Sequence, residues 1–308
     1  MTSEPGVSVR VPAKINLGLA AGGPGADGYH DLATVFQAVS LYDEVTATLA
    51  EDVSITVDGV QAEEVPLDPS NLAIRAARLL ARRSGIDAGV HLHLHKQIPV
   101  AGGMAGGSAD AAGALLACEA LWDLGLTRAD LIELAAELGA DVPFPLMGGT
   151  AIGTGHGDVL TPALARGEFQ WVLAFAPFGL STPRVFGELD RLRAGRVLPE
   201  PRVADQLMHA LRSGDAQALG EALHNDLQPA ALSLAPKLER TLAVGRDCGV
   251  LGALVSGSGP TVAFLVSGAD MALDLSIGLT ASGAVRDVRR VHGPVPGARI
   301  IDPARGGR

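Results

Sequence analysis

The chain has 308 residues, of which 47% are hydrophobic and 19% are charged, and its formal net charge at pH 7 is −10. This composition is typical of a globular protein and excludes a disordered one, and the length is sufficient for about two domains with a buried core. The acidic balance excludes nucleic acid as a general partner, because phosphate backbones are bound by clustered lysine and arginine.

The first half of the chain alternates short strands with turns and then helices. Runs rich in Val, Ile and Thr with a two-residue period predict antiparallel strands in "VSVRVPA", "INLGLAA", "LATVFQAVSLYDEVTATLA" and "VSITVDG". The segment "PSNLAIRAARLLARRSG" predicts a helix with Ser70 as its N-cap and Gly85 at its end. A strand in "GVHLHLHKQIPV" follows, then a helix over residues 109–122 and another with Thr127 as N-cap and Gly139 at its end.

The second half has a different pattern. The apolar run "FQWVLAFAP" predicts a strand, and "STPRVFGELDRL", "RVADQLMHALRSGD", "AQALGEALHNDL" and "LAPKLERTLAVGRDCG" predict helices. Residues 248–269 carry no charge and are long enough to cross a bilayer, but "SGSGP" interrupts them and favours two short buried strands. We therefore expect an α+β protein with two halves, residues 1–160 and 161–308.

The cysteines and the N-terminus indicate the compartment. Cys118 and Cys248 are far apart in sequence and form no Cys-x-x-Cys motif, which favours a reducing environment over a disulfide framework. The N-terminal segment lacks the apolar core of a signal peptide. The expectation is a cytoplasmic protein that does not act at a membrane.

Four glycines fall within residues 102–107, in "PVAGGMAGGSAD", directly before a predicted helix. The spacing matches neither the P-loop, because Ser108 stands where that motif has lysine, nor the dinucleotide fingerprint. Both motifs nevertheless share the same physics: backbone N–H groups and the positive end of a helix converge on an anion. From these residues alone we favour an anion site, and a purely structural loop is the alternative.

Four segments taken in order resemble the GHMP small-molecule kinases, named for galactokinase and the homoserine, mevalonate and phosphomevalonate kinases: "PAKINLGL", "PVAGGMAGGSADAAGAL", "LGADVPF" and "GALVSGSGPTVAF". Within that superfamily, "DGYHDLATVFQAV", "DPSNLAIRAARLL" and "LGADVPFPLMGG" resemble the branch that phosphorylates 4-diphosphocytidyl-2-C-methyl-D-erythritol in non-mevalonate isoprenoid synthesis. The resemblance implies a two-lobed GHMP kinase fold, with an N-terminal lobe like ribosomal protein S5 domain 2 and a ferredoxin-like C-terminal lobe. It also implies ATP and Mg²⁺ as cofactors and a cytidine diphosphate derivative of a branched sugar alcohol as substrate, bound by a monomer or weak homodimer.

The resemblance gives two residues a catalytic role. Lys14 in "PAKIN" would stabilise charge on the acceptor hydroxyl or the moving phosphoryl group, and Asp141 in "LGADVPF" would accept the hydroxyl proton. Without the resemblance, a solvated lysine and a turn-forming aspartate are the ordinary interpretations.

The resemblance also supplies the binding residues. Those implied to contact the cytidine substrate are Asn16, Tyr29, His30, Thr182 and Phe186, with the base held between aromatic rings. Those implied to contact the nucleotide are Asn71, Lys96, Pro99, Gly102, Gly103, Met104, Ala105, Gly106, Gly107 and Ser108. Three alanines depart from the usual glycine- and serine-rich loop, and an alanine at positive φ would cost about 1 kcal/mol; they are Ala101, Ala105 and Ala109.

No residue is predicted to bind a metal directly. His91, His93 and His95 share one face of a strand, a pattern that a metal edge would also show, but we favour a solvent-facing row opposite a buried row of Val90, Leu92 and Leu94. Two other functions stay open: another GHMP kinase, of the homoserine or mevalonate type, and a nucleotide-binding protein that has lost catalysis.

Overall fold

The computed structural model describes residues 6–26 and 28–301. Its first elements are β1 (Val7–Pro24), β2 (His30–Ala50), β3 (Ser54–Gly59), α1 (Leu72–Ser84), β4 (Gly89–Lys96), α2 (Gly106–Trp122), α3 (Arg128–Ala136), α4 (Pro143–Met147), β5 (Thr150–Thr154) and β6 (Val159–Pro162). The chain continues with β7 (Phe169–Phe175), α5 (Thr182–Arg193), α6 (Asp205–Ser213), α7 (Ala216–Ala222), β8 (His224–Asn225), α8 (Gln228–Leu234), α9 (Lys237–Asp247), β9 (Gly252–Val255), β10 (Val262–Val266), α10 (Ala269–Ser282), β11 (Asp287–Gly293) and β12 (Arg299–Ile301).

The first sheet is built around the long antiparallel pair β1 and β2. Its strand order is β12-β1-β2-β4-β3, with β5 and β6 joined to β2 and the short β8 joined to β1. The register of β1 against β2 shifts between Pro12 and Ala13 and again between Asn16 and Gly18. Such irregularities re-aim side chains, and Lys14 and Asn16 lie between the two shifts. The alanine-rich helix α2 packs against this sheet with most of its side chains buried.

The second sheet has the order β11-β7-β10-β9, with every neighbouring pair antiparallel. Counted within this sheet, the order is fourth, first, third, second, which is the ferredoxin-like arrangement expected for the C-terminal half. A second core of β7, β9 and β10 side chains packs with α9 and α10. The uncharged segment at 248–269 forms β9, a glycine-rich turn and β10, as predicted, and every helix in the described ranges is too short or too polar to cross a membrane.

The helix boundaries follow their capping residues. Thr127 caps α3 in a capping box, and Gly85 ends α1 in the left-handed conformation, as predicted. Two boundary predictions were wrong: α1 is capped by Asn71 instead of Ser70, because the Asn71 side chain accepts the amide of Ala73, and α3 ends at Ala136, before Gly139.

One strand prediction and one helix prediction also differ from the structure. The two strands expected at the N-terminus form one continuous strand, β1, and α2 begins at Gly106, within the glycine-rich segment and three residues before Ala109. A boundary between halves near residue 160 stays a prediction, since β6 crosses it and β12 returns to the first sheet.

The histidine-rich strand β4 alternates as predicted. Val90, Leu92 and Leu94 are buried, and the histidines lie on the opposite face. There they bond to side chains of β3, as in His91 with Ser54 at 2.9 Å and His95 with Asp58 at 2.6 Å. Within the described residues, no group of three side chains suits a metal ion.

Candidate active site

A cleft of about 920 Å³ brings together most of the residues implied by the sequence. Both predicted catalytic residues line it, Lys14 and Asp141. So do all the predicted substrate contacts: Asn16, Tyr29, His30, Thr182 and Phe186. The predicted nucleotide contacts along its wall are Gly102, Gly103, Ala105, Gly106, Gly107 and Ser108.

The remaining predicted nucleotide contacts do not reach the cleft with their side chains. The Asn71 amide is used at both ends, since Oδ1 accepts from the backbone of Ala73 at 2.8 Å and Nδ2 donates to the carbonyl of Pro66 at 2.7 Å. Met104 is buried in the first core, and Pro99 lines a separate cavity of about 80 Å³. Their side chains therefore support the loop and α1, and contact of these residues with the nucleotide stays a prediction.

The side chain of Lys96 is also held by groups of the protein itself. Its side chain is 2% exposed, and its ammonium donates to Asp43 Oδ2 and, at 2.6 Å, to Asp110 Oδ2. It also lies 3.5 Å from the carbonyl oxygen of Gly106, the first residue of α2. Burial opposes the charge, but Asp110 and Asp43 more than offset that effect and raise the pKa of Lys96. The Lys96 ammonium therefore holds the start of α2 in place, and contact of Lys96 with adenine stays a prediction.

The two carboxylates around Lys96 differ in how well they are satisfied. Asp43 Oδ1 accepts the backbone amides of Gln97 at 2.6 Å and Ile98 at 2.8 Å, so both of its oxygens are used. Asp110 Oδ1 is buried and has no hydrogen-bond partner in the described part of the chain. Burial raises the pKa of Asp110 to about 7, with Lys96 opposing and Asp43 adding to the shift. The Lys96 ammonium donates to one oxygen of each carboxylate, and the second oxygen of Asp110 is the one left without a partner.

The glycine-rich loop between β4 and α2 meets a second one between β9 and β10. The Thr261 amide donates to the carbonyl of Gly102 at 3.3 Å, and a side chain on Gly103, whose φ is +73°, would come within 2.5 Å of the Ser256 carbonyl oxygen. Gly257 and Ser258 of the second loop line the cleft. The "SGSGP" turn of the second half is therefore part of the cleft wall.

Lys14 and Asp141 face each other across the cleft. Lys14 is 5% exposed, its Nζ donates to Asn16 Oδ1 at 2.7 Å, and the ammonium lies 5.0 Å from the centre of the Phe36 ring. The Asp141 Oδ1 atom is 4.0 Å from Lys14 Nζ, and its side chain is partly open to solvent. Burial lowers the pKa of Lys14, and Asp141 partly opposes that shift. A positive charge and a carboxylate thus share the point where a bound hydroxyl could meet a phosphate.

Aromatic rings gather at one end of the cleft, at the turn between β1 and β2 and on α5. The rings of His30 and Phe186 lie 4.8 Å apart, and those of Tyr29 and His156 lie 5.1 Å apart. Tyr29 is 65% exposed and lines the cleft. The Thr182 hydroxyl lies 2.9 Å from that of Ser258 and so ties α5 to the second glycine-rich loop.

Several cleft residues were missed from the sequence. Asp190, His156 and Asp158 line the wall, and Asp190 accepts a hydrogen bond from His30. Asp190 follows Phe186 by four residues on a helix, so the spacing could have indicated it. No local pattern indicated Asp43 and Asp110, whose meeting at Lys96 depends on the tertiary fold.

Residues 71–149 match the model of the GHMP kinases N terminal domain, and residues 207–275 match that of the GHMP kinases C terminal domain. The chain is 59% identical over 298 residues to a 4-diphosphocytidyl-2-C-methyl-D-erythritol kinase of Streptomyces coelicolor, covering 96% of this chain and 99% of that one. It is 57% identical over 295 residues to the protein of the same name from Streptomyces avermitilis, with the same coverage. A crystal structure of 4-(cytidine 5'-diphospho)-2C-methyl-D-erythritol kinase superposes with a TM-score of 0.74 and 34% identity, covering 92% of this chain and 98% of the other.

Proposed function

The chain belongs to the 4-diphosphocytidyl-2-C-methyl-D-erythritol kinases, a family of GHMP kinases, and we propose that it transfers the terminal phosphoryl group of ATP to the 2-hydroxyl of that nucleotide. The two-sheet α+β architecture is the GHMP kinase fold. This activity belongs to the methylerythritol phosphate pathway, the non-mevalonate synthesis of isoprenoid precursors. The observation that carries the proposal is the Lys14–Asp141 pair, 4.0 Å apart in the same cleft as the glycine-rich loop.

In this proposal Asp141 is the base. Its carboxylate accepts the proton of the 2-hydroxyl while that oxygen forms a bond to the γ-phosphorus and the bond from the γ-phosphorus to the bridging oxygen of ADP breaks. Because the transition state of phosphoryl transfer is loose, alignment and neutralisation of charge matter more than early removal of the proton. Lys14, held by Asn16, supplies a fixed positive charge beside the transferred group.

The glycine-rich loop holds the nucleotide phosphates. Backbone amides at the start of α2 and the positive end of that helix favour an anion at Gly106 to Ser108. Mg²⁺ would enter this cleft as part of Mg-ATP, because Mg²⁺ is commonly held through substrate phosphates together with one or two carboxylates. When bound, it would neutralise charge on the phosphates.

At the other end of the cleft, Tyr29, His30 and Phe186 bind the cytosine ring. Stacking of a base on aromatic side chains contributes about 1–3 kcal/mol. We also propose that the enzyme acts in the cytoplasm as a monomer or weak homodimer. Sedimentation equilibrium of the purified protein measures that association.

A panel of acceptors tests the proposal. ADP release is measured with Mg-ATP and the cytidine diphospho-methylerythritol, homoserine, mevalonate or galactose. We expect turnover with the cytidine compound alone. Turnover of another alcohol would support kinase activity with Asp141 as the base, but it would reject the binding of cytosine by Tyr29 and Phe186. Binding of ATP without turnover of any acceptor would identify a non-catalytic protein.

A further inference from the structure

His30, which the proposed function assigns to the cytosine ring, forms a pair with Asp190, a residue that has no role in that proposal. His30 Nε2 lies 2.8 Å from Asp190 Oδ1. The side chain of His30 is 6% exposed and that of Asp190 39% exposed, so the imidazole is enclosed while the carboxylate stays open to water. Both residues line the cleft.

The helix α5 holds Asp190 in place. Thr182, Phe186 and Asp190 follow each other at intervals of four residues and all line the cleft, which makes them one face of α5. The C-terminal end of the helix is fixed by Arg193, which donates to the carbonyl of Ala21 at 2.7 Å and pairs with Asp226 at 2.9 Å. The imidazole of His30 is therefore confined between the Phe186 ring and a carboxylate whose position is set by the helix.

A carboxylate acceptor decides which ring nitrogen of a neutral histidine carries the proton. Ionised carboxylates only accept hydrogen bonds, so Asp190 requires a proton on Nε2 of His30. In the neutral ring the other nitrogen, Nδ1, is then an acceptor. Within the described residues no hydrogen bond to Nδ1 is found, so this acceptor is free for a ligand.

We propose that Asp190 is a positioning residue for base selection: it fixes His30 with an acceptor at Nδ1, which favours a cytosine over a uracil. Cytosine presents a donating amino group at position 4, whereas uracil presents an accepting carbonyl oxygen there. An accepting Nδ1 bonds the amino group and opposes the carbonyl. This inference rests on the proposed function, because it takes the pyrimidine to lie against His30.

Two measurements test the assignment. Long-range ¹H–¹⁵N correlation spectra of the wild-type protein report the protonated nitrogen of His30 directly, and we expect Nε2–H. Binding of CDP and of UDP is then compared by titration calorimetry, and we expect CDP to bind about tenfold more tightly, the scale of one hydrogen bond gained against one acceptor opposed. Neither measurement depends on turnover.

Variants separate positioning from folding. In Asp190→Asn the amide can donate to Nε2 and move the ring proton to Nδ1, as in hydrolase triads where this replacement gives the wrong tautomer. We expect the preference for CDP over UDP to fall to threefold or less, with CDP binding and thermal stability largely kept. Glu188→Gln removes a carboxylate from the same helix that pairs with Arg191 and Ser233, and it should leave the preference unchanged.

The outcomes distinguish this inference from the kinase proposal. Three results would each overturn the role of Asp190 without affecting the proposed kinase activity. They are a His30 ring protonated at Nδ1 alone, equal binding of CDP and UDP by the wild type, and an undiminished preference for CDP in Asp190→Asn. A normal preference for CDP without phosphorylation of the cytidine substrate would overturn the proposed kinase activity and support the role of Asp190.

Discussion

Lys14 and Asp141 meet across the cleft with 4.0 Å between Nζ and Oδ1, although Lys14 lies on a buried strand and Asp141 on a partly exposed loop after α3. Two of the three shifts of register between β1 and β2 bracket Lys14 and Asn16, so these irregularities aim both side chains at this point. The pair thus depends on local backbone geometry in the first sheet as well as on the two side chains themselves.

Replacing Asp141 with asparagine removes the proposed base and keeps its shape. We expect kcat to fall at least about a hundredfold, since a positioned general base contributes on that scale. Affinity for a non-hydrolysable ATP analogue should change little, because the proposed contacts with the phosphates are backbone amides of the glycine-rich loop. Steady-state kinetics and calorimetry check the two quantities separately, and a near-normal kcat would reject the assignment.

The lowered pKa of Lys14 predicts a loss of activity at alkaline pH. The ammonium form supplies the charge, and burial lowers the pKa of Lys14 from its ordinary 10.5, so kcat should decline at a pH below that value as the proton is lost. Lys14→Arg keeps a charge over the whole range. Its kcat should be lower but should not show this decline in a profile from pH 7 to 11, and a profile like that of the wild type would contradict the role.

The local pattern of the sequence predicted much of the secondary structure. The alternation of apolar residues and histidines in β4 predicted that Leu92 and Leu94 lie in the core, and Thr127 predicted the start of α3. Boundaries were less certain because capping is a competition between neighbours: Ser70 and Asn71 are both suitable, and only the folded chain shows that Asn71 reaches the Ala73 amide.

The site was predicted chiefly through family resemblance, and its supports were not predicted. Physical reasoning from the residues reached an anion site at Gly102 to Ser108 and no further. Lys96 was assigned to the nucleotide, and the sequence did not indicate that its ammonium donates to Asp43, which is 53 residues away. Asp190 lies 160 residues from His30. Such pairs depend on how strands and helices assemble, and the local periodicity of hydrophobic residues in the sequence carries no information about that assembly.

Gly103 is required where the two glycine-rich loops touch. A methyl group there would lie 2.5 Å from the Ser256 carbonyl oxygen and would strain a backbone at φ +73°. We expect Gly103→Ala to lower the free energy of unfolding by about 2 kcal/mol or more. The matched control is Gly107→Ala, whose nearest neighbour would be Leu72 at 3.7 Å and which should change stability by less than about 0.5 kcal/mol in urea unfolding. Equal effects would contradict the contact.

Replacement of Ala105 tests whether alanine strains the glycine-rich loop. Its φ is 58°, and Ala101 has a φ of 52°, so alanine occupies the left-handed region in both places. Ala105→Gly should therefore raise the free energy of unfolding by about 1 kcal/mol. Ala109→Gly, in the buried interior of α2, should instead lower it by about 1 kcal/mol. Destabilisation by Ala105→Gly would show that the strain is absent.

The proton on Asp110 makes stability depend on pH. Because the pKa of Asp110 is raised to about 7 in the folded protein, the folded state binds this proton more tightly than the unfolded one, whose pKa is close to 3.8. The contribution is complete below pH 3.8 and is lost as the pH rises through 7. The asparagine side chain in Asp110→Asn cannot ionise, so this variant does not lose the contribution as the pH rises. Its free energy of unfolding relative to that of the wild type should therefore increase between pH 4 and 8, by on the order of 2–4 kcal/mol.

Denaturant unfolding of both proteins across that range measures the difference, and Asp274→Asn on the exposed face of α10 controls for the loss of one carboxylate. A difference that stays constant with pH would mean that Lys96 keeps Asp110 charged. In that case the unpartnered Asp110 Oδ1 would be a buried charge beneath the phosphate loop, and it would oppose the binding of ATP.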